Sequence, residues 1–340
     1  MKIPSKKPAQ PYDPRRDGIT QSILSSWLSC RVKARLGLEG WTSLRTGAAL
    51  QFGELAHGVL EDVYGEVRDG KRKNAPNKEE VYGLIARRIK EWEEGPKGSR
   101  AGADEKQQLE QNAALLEAVL PHYFTFWAED DFRKTTWVAL EQEFLVEMFG
   151  VPLRGKRDGV FKDKASGLSL FETKTKGQIN EDNMQELLAF DFQSDFYNNT
   201  YMVETGLLPT GTRYNIIRRP GQKWSTKPDK KTGLRESLVQ YRDRVEAEVI
   251  KDPAYYFLRY RISKTKADMA EAQKELGLKV AEFLDWHDGK LPTYKNETAC
   301  VGKFGACHFL RICANKNYDG FYRRERTFEE LSSAKGGNKK

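Results

Sequence analysis

The feature that most constrains this chain is a change of period at Thr135. Before it, apolar residues recur three and four apart. After it, TTWVALEQEFLVEMFG is dense in β-branched, aromatic and apolar residues, and VPLRGKRDGVFKD follows across Gly150 as a hairpin partner. GLSLFETKTK reads as a third strand entered through the KASG turn. A helix from about Glu181 to Glu204 and a strand at TRYNIIRR complete a βββαβ order. That order predicts a mixed α/β core flanked by helical regions.

The helical first half starts with Thr20 or Ser22 as N-cap of a segment carrying Ile23, Leu24, Trp27 and Leu28. A second helix is expected from about Ala48 to Val67, with His57 and Glu61 four apart on one face. Two more follow, about Lys78 to Glu94 and about Asp104 to Trp127, separated by the helix-breaking EEGPKGSRAGAD. Beyond the core, helical patterns resume around Ser237 to Val249 and Lys264 to Trp286. The expected organisation is a basic disordered tail over 1–18, a helical region over 19–134, a core over 135–220 and a loop over 221–234. C-terminal helices with a cysteine segment then span 235–315, and a second tail spans 316–340.

The 57 Lys plus Arg exceed the 49 Asp plus Glu by eight, which favours a polyanionic partner, although the termini supply part of the excess. No stretch reaches the length of an apolar membrane span, and the N-terminus lacks the apolar region of a signal peptide. A cytoplasmic location is therefore expected. In that compartment four cysteines, with three between residues 300 and 313, suggest a thiolate-held centre rather than disulfides.

Glu172 and Lys174 stand two apart on a strand, so their side chains leave the same face. Asp158 lies on the preceding strand, close enough across a hairpin to meet them. Two carboxylates suit a hard divalent cation such as Mg²⁺ or Mn²⁺, and an ammonium beside them can position a water and offset charge growing on a phosphoryl group. Taken alone, LFETKTK is also what the solvent face of an ordinary strand looks like. Gly155 and Asp158 upstream tip the balance towards chemistry, with the glycine expected to allow a close backbone approach.

In the order of these pieces the chain resembles the RecB and Cas4-like (AddB-like) branch of the PD-(D/E)XK nucleases, which includes phage-encoded members. FGELAHGVLE is similar to that branch's helical motif, which implies His57 as a metal ligand. LRGKRDGVF is similar to the motif carrying the metal-binding Asp158, with Arg157 where the family usually has Pro. LFETKTK matches the E-x-K motif, implying Glu172 as ligand, Lys174 as catalytic lysine and the Thr173 carbonyl as a further ligand. FDFQSDFYNN resembles a Q-x-x-x-Y helix motif, carrying Gln193 and Tyr197 to the substrate phosphate or the lysine; the two could equally be a helix-face pair. ALEQEF offers Glu141 or Glu143 as an additional acidic group, of which Glu141 is preferred.

Cys30 together with Cys300, Cys307 and Cys313 reproduces the split arrangement that holds a [4Fe–4S] cluster in many such proteins, though six residues separate the first two C-terminal cysteines instead of two. Zinc, with His308 available, and unrelated buried thiols are the alternatives. The resemblance implies a restriction-endonuclease-like sheet. It also implies a metal-dependent deoxyribonuclease, in particular an exonuclease of recombination, repair or end processing, with DNA and a recombinase, annealing protein or helicase as partners. The other reading is a catalytically silent or partner-dependent DNA-binding subunit. Lys156, Arg157, Lys174, Lys176, Arg213, Arg218 and Arg219 are the basic residues nearest the site in sequence; Trp41, Tyr214 and Trp224 could stack on bases but suit packing better.

Overall fold

A computed structural model describes residues 11–45, 47–95, 97–225, 227–228, 233–302 and 305–324. Its centre is a five-stranded mixed sheet whose strands lie side by side in chain order. Strands β2 (Thr136–Met148), β3 (Val151–Asp163) and β4 (Gly167–Lys176) form the expected antiparallel meander, turning through Phe149 and Gly150 at φ 57° and 75°. β5 (Gly211–Arg218) then runs parallel to β4. The parallel step needs a crossover, and the segment between these strands supplies it. The mixed α/β expectation is borne out.

The rest of the chain wraps this sheet. α1 (Pro14–Asp17), α2 (Gln21–Ser29) and α3 (Arg31–Leu38) lead to a short β1 (Trp41–Ser43). The helices α4 (Ala48–Arg68), α5 (Lys78–Glu94) and α6 (Ala103–Phe126) follow close to their expected bounds, α5 opening with a capping box on Asn77 and Glu80. After β4 come α7 (Met184–Ala189) and α8 (Phe192–Thr205); after β5 come α9 (Leu238–Lys251), α10 (Pro253–Tyr256), β6 (Phe257–Ser263) and α11 (Lys266–His287). The cysteine segment holds β7 (Val301–Gly302), β8 (Gly305–Ala306) and α12 (Leu310–Asn315), and β9 (Phe321–Arg323) pairs with β1. No described helix is long and apolar enough to cross a membrane.

Three expectations need correction. Residues 12–18 are not a free tail: Tyr12 is buried, α1 follows, and Ile19 exchanges backbone hydrogen bonds with β3 through Pro152 and Arg154. Residues 321–323, expected in the C-terminal tail, instead form β9; residues 1–10 and 325–340 lie outside the described residues. The single helix expected from Glu181 to Glu204 is two, because Asp191 caps α8 with its side chain on the Gln193 N–H and breaks the run.

The fifth strand, β6, is absent from the sequence reading for a physical reason. FLRYRIS carries Arg259 at an inward position, which hides the apolar alternation of a strand. That arginine is buried on Asp131, with both Nη atoms 2.7 Å from the two carboxylate oxygens, and its guanidinium lies 4.0 Å from the Trp127 ring centroid. Asp131 also accepts from Tyr64 Oη at 2.5 Å, and Tyr64 meets Tyr123 Oη at 2.8 Å. This network ties α4, α6 and β6 into the largest core cluster, which packs Phe52, Leu55, Val59, Leu120 and Phe124 against Phe161, Phe171 and Ile217 of the sheet.

Asp131→Ala leaves the Arg259 charge buried without its partner. It is expected to lower unfolding stability by about 3–5 kcal/mol, read from urea denaturation midpoints; a loss under 1 kcal/mol would show the pair to be dispensable.

Candidate active site

The site lies where the sheet forks. β3 and β4 pair from Asp163↔Gly167 to Gly159↔Phe171 and then separate, although both strands continue. In the gap, Asp158 Oδ2 accepts the Thr173 backbone N–H at 2.8 Å, replacing the ladder partner that the divergence removes. In extended backbone the N–H and C=O of one residue leave the same edge, so the Thr173 carbonyl also faces the fork.

Glu141 arrives from β2. The β2–β3 register passes from Leu140↔Gly159 to Gln142↔Arg157, which leaves Glu141 and Asp158 opposite each other outside the ladder. Glu141 is held at φ 45°, in the left-handed region. That conformation costs a non-glycine residue on the order of 1 kcal/mol or more and recurs at functional sites. Glu143, the other acidic candidate in this strand, keeps its place in the ladder opposite Lys156.

α4 brings His57 to the open face. Its approach is close at Gly53, where an added Cβ would stand 2.8 Å from Thr175 Oγ1. His57 Nδ1 lies 3.5 Å from Asp158 Oδ2 and 3.9 Å from Glu141 Oε1, and ligand atoms of the three residues all fall within 4.8 Å of one another. Ligands around an octahedral ion at about 2.1 Å stand roughly 3 Å apart when adjacent and about 4 Å when opposite, so the donor set fits a hard divalent cation. A cavity of about 10 Å³ beside it, lined by His57, Glu61, Glu141, Asp158 and Thr173 among others, has room for about one water-sized sphere.

α8 closes the other side. Gln193 bridges two groups, accepting from Lys174 Nζ and donating from Nε2 to Glu172 Oε1 at 2.8 Å. Lys174 Nζ also lies 3.1 Å from Glu172 and 3.6 Å from Asp191 Oδ2. Tyr197, one turn on, packs edge-on against Phe144. Gly155 serves these rings, since a Cβ there would meet Phe144 at 2.9 Å; the glycine admits aromatic side chains rather than a ligand. Asp191 went unrecognised in the sequence. Its signal was an Asp immediately ahead of the pattern FQSDF, where an N-cap belongs.

The charges in the fork are not mutually neutralised. Burial, then repulsion from Asp158, pushes the Glu172 carboxyl up to about 8, and burial with Glu141 nearby raises Asp158. Burial opposes protonation of His57, but Asp158 and Glu141 outweigh it and carry the imidazole to about 9. Glu141 is held low against its burial by His57 and by Lys156, which stands 2.5 Å away. Lys174 is held charged by Glu172 and Asp191 despite burial. Glu141 and Asp158 share the group with His57, while Glu172 stands outside it beside Asp158 and bonded to Gln193; an added cation would relax the repulsion among these carboxylates.

The cysteines gather elsewhere. Cys30 sits between α2 and α3, and with Cys307 and Cys313 it packs on Val32, Leu36, Phe309 and Ile312. Burial and then the neighbouring Cys307 and Cys30 raise the Cys313 thiol, with Cys300 contributing as well, but among the described residues no three of these sulfurs lie within 4.8 Å of one another. Asn296 links two of them, donating its N–H to Cys30 Sγ at 3.5 Å and accepting from Cys300 Sγ at 3.6 Å. Of the possible stacking aromatics, Trp41 and Tyr214 are buried in the core.

Raised acid and imidazole pKa values mean that the folded state binds more protons than the unfolded chain, through Glu172 from its ordinary range up to about 8 and through His57 from about 6.5 up to about 9. Stability then falls as pH rises through those windows. With EDTA present, the melting midpoint is expected to drop between pH 6 and 9. Glu172→Gln should flatten that slope and raise the midpoint at pH 8 by a few degrees. A pH-independent wild-type midpoint would contradict the assignment.

Comparison with known proteins gives one family. A family model described as the PD-(D/E)XK nuclease superfamily matches residues 19–314. No curated protein matches the chain. Among solved structures, a candidate exonuclease from Eubacterium rectale is similar at 12% identity and a TM-score of 0.47, over 92% of this chain and 93% of that one.

Proposed function

Because the chain belongs to the PD-(D/E)XK nuclease superfamily, we propose that its forked sheet is the active site of a divalent-metal-dependent deoxyribonuclease with exonuclease activity. The nuclease class follows from the family. The observation that supports the finer reading is the grouping of His57, Glu141 and Asp158 in the fork, with the Glu172–Lys174 pair beside Asp158.

Mg²⁺ or Mn²⁺ held by His57, Asp158, Glu172 and the Thr173 carbonyl, with Glu141 as a further acidic group, would polarise the phosphodiester and acidify a water. Lys174 supplies a fixed positive charge beside that position. Its amine is aimed by Gln193 and Asp191, so charge developing on the phosphoryl oxygens meets a donor already in place. Gln193 also orients Glu172, coupling the geometry of the acid and the lysine. Tyr197, hydrogen-bonded to Gln193 and near Glu172 and Asp158, packs on Phe144 and is proposed to act with Gln193 beside the substrate phosphate or the lysine.

Cys30, Cys300, Cys307 and Cys313 are proposed to hold a [4Fe–4S] cluster, with zinc as the alternative. The sequence resemblance supports this reading, and Cys30, Cys307 and Cys313 pack on one apolar cluster, although the sulfurs would have to draw closer to share a centre. Its place, where β1 meets β9 and α2 meets the C-terminal segment, suits a clasp between the two ends of the chain. The reading extends to a role in recombination, repair or end processing beside a recombinase, annealing protein or helicase in a bacterial or phage-infected cytoplasm; the sequence resemblance supports this.

Incubation with end-labelled linear and closed circular DNA, single- and double-stranded, tests the proposal. Cleavage is expected with Mg²⁺ or Mn²⁺, abolished by EDTA, reduced at least about 100-fold by Lys174→Ala, and confined to linear molecules. Cutting of circles would replace the exonuclease reading by an endonuclease. No cutting by folded protein would favour the silent or partner-dependent subunit. Anaerobically purified protein should be brown, with visible absorption that bleaches on reduction; colourless protein with stoichiometric zinc would overturn the cluster.

A further inference from the structure

Arg157, immediately before Asp158, is a charged side chain that the fold encloses almost completely, leaving it 1% exposed. Nη1 donates to Glu204 Oε2 at 2.6 Å and Nη2 to Thr200 Oγ1 at 3.1 Å, both on α8. The guanidinium lies 3.9 Å from the Phe144 ring centroid and 5.3 Å from that of Tyr201. Its Nε has no hydrogen-bond partner among the described residues. Enclosing an ion pair costs desolvation free energy, an unpartnered donor adds to that cost, and an apolar side chain of similar volume in such a place is often neutral or stabilising. Filling the space between β3 and α8 therefore does not account for an arginine.

What the arginine holds is a change of face in β3. Upstream, Gly155 and Arg157 both face α8: a Cβ on Gly155 would meet Phe144 and Tyr197, and Arg157 stacks on Phe144. Downstream, Gly159 faces the other way, where a Cβ would meet Phe171, Trp137 and Leu140 of the core beneath α4, and Val160 packs with Tyr201 of α8 instead. Alternate residues of a regular strand share a face, so β3 changes face between Arg157 and Gly159. Asp158 is the residue at the switch. Released from the pleat, its carboxylate turns aside to accept the Thr173 N–H, while Glu141 opposite it takes the left-handed backbone. Arg157 is the last side chain pinned to α8 before the switch.

The same guanidinium sets α8. Gln193, Tyr197, Thr200 and Glu204 stand at i, i+4, i+7 and i+11, on one stripe of that helix. Thr200 and Glu204 hold Arg157, and Gln193 at the other end of the stripe bridges Lys174 and Glu172. One side chain thus fixes both the rotation of the helix that aims the lysine and the strand that presents Asp158.

We propose that Arg157 is a positioning residue of the fork, locking α8 to β3 so that Asp158 turns into the fork and Gln193 reaches Lys174 and Glu172. It touches neither metal nor substrate. The inference rests on the nuclease reading of the fork and adds to it a residue outside the donor set.

The test compares wild type with Arg157→Lys, Arg157→Met and the double variant Arg157→Met/Glu204→Leu, measuring thermal melting, Mn²⁺ binding by electron paramagnetic resonance, and cleavage kinetics. The double variant controls for folding, because it leaves no unpaired buried charge. It is expected to melt within a few degrees of wild type, yet to bind Mn²⁺ about tenfold more weakly and to lose about 10- to 100-fold in kcat, with KM within about twofold. Arg157→Met should lose as much. Arg157→Lys, which keeps the charge on Glu204 but not the second arm on Thr200, should recover part of the loss. A double variant with wild-type Mn²⁺ affinity and kcat would show that Arg157 only fills space and would overturn the proposal. Should neither Met-bearing variant melt cooperatively, Arg157→Lys decides, and unaltered Mn²⁺ affinity and kcat in it overturn the proposal. If Mn²⁺ binding falls as expected but wild type cuts no DNA, the positioning role stands and the nuclease reading fails.

Discussion

The constraint on which the candidate site depends is the crowding of buried carboxylates at the fork of the sheet. Glu141 and Asp158 group with His57 where β3 and β4 part, Glu172 stands beside Asp158, and like charges so placed cannot all ionise without opposite charge nearby. The protein supplies some of it: His57 from α4, Lys156 from β3 and Lys174 from β4. The amounts do not balance, as Glu172 and Asp158 remain raised. A folded protein that keeps such a site trades stability for chemistry, and the left-handed backbone at Glu141 is a second sign of that trade.

The surrounding architecture holds the fork open. On one face α4 is drawn close at Gly53 and anchored by the Tyr64, Tyr123, Asp131 and Arg259 network, so that His57 projects at a fixed height. On the other, α8 begins at Asp191 instead of continuing α7, and the break delivers both Asp191 and Gln193 to Lys174. A continuous helix would have carried these side chains on helical spacing without the N-terminal turn that aims them. Phe144, Phe196 and Tyr197 fill the space behind, made possible by Gly155.

Much of this was legible in the residues. The meander, the parallel return and the helices α2, α4, α5, α6, α9 and α11 follow from apolar period, turn residues and caps, because local pattern and tertiary placement agree there. Glu172, Lys174 and Asp158 were legible because strand spacing puts them on a shared locus. What the sequence concealed has physical causes. β6 was masked by Arg259, whose inward charge is satisfied only by Asp131, distant in sequence. The divided helix was masked because Asp191 reads as one polar residue in a helical run until its capping role is seen. Tyr12 and α1 were read as tail because their partners, Gly18 and the β3 backbone, are chosen by tertiary packing. Which basic residues are spent on internal pairs could not be read at all, since the partners of Arg157, Arg213 and Arg218 are chosen by tertiary packing.

The central claim is that the fork is a cation site built by His57, Asp158 and Glu172, and the most direct test is Mn²⁺ binding followed by electron paramagnetic resonance on purified protein at pH 8. The account predicts saturable loss of the free-ion signal, weakened at least about tenfold by Asp158→Asn and by His57→Ala. Absence of binding, or binding indifferent to both substitutions, would contradict it.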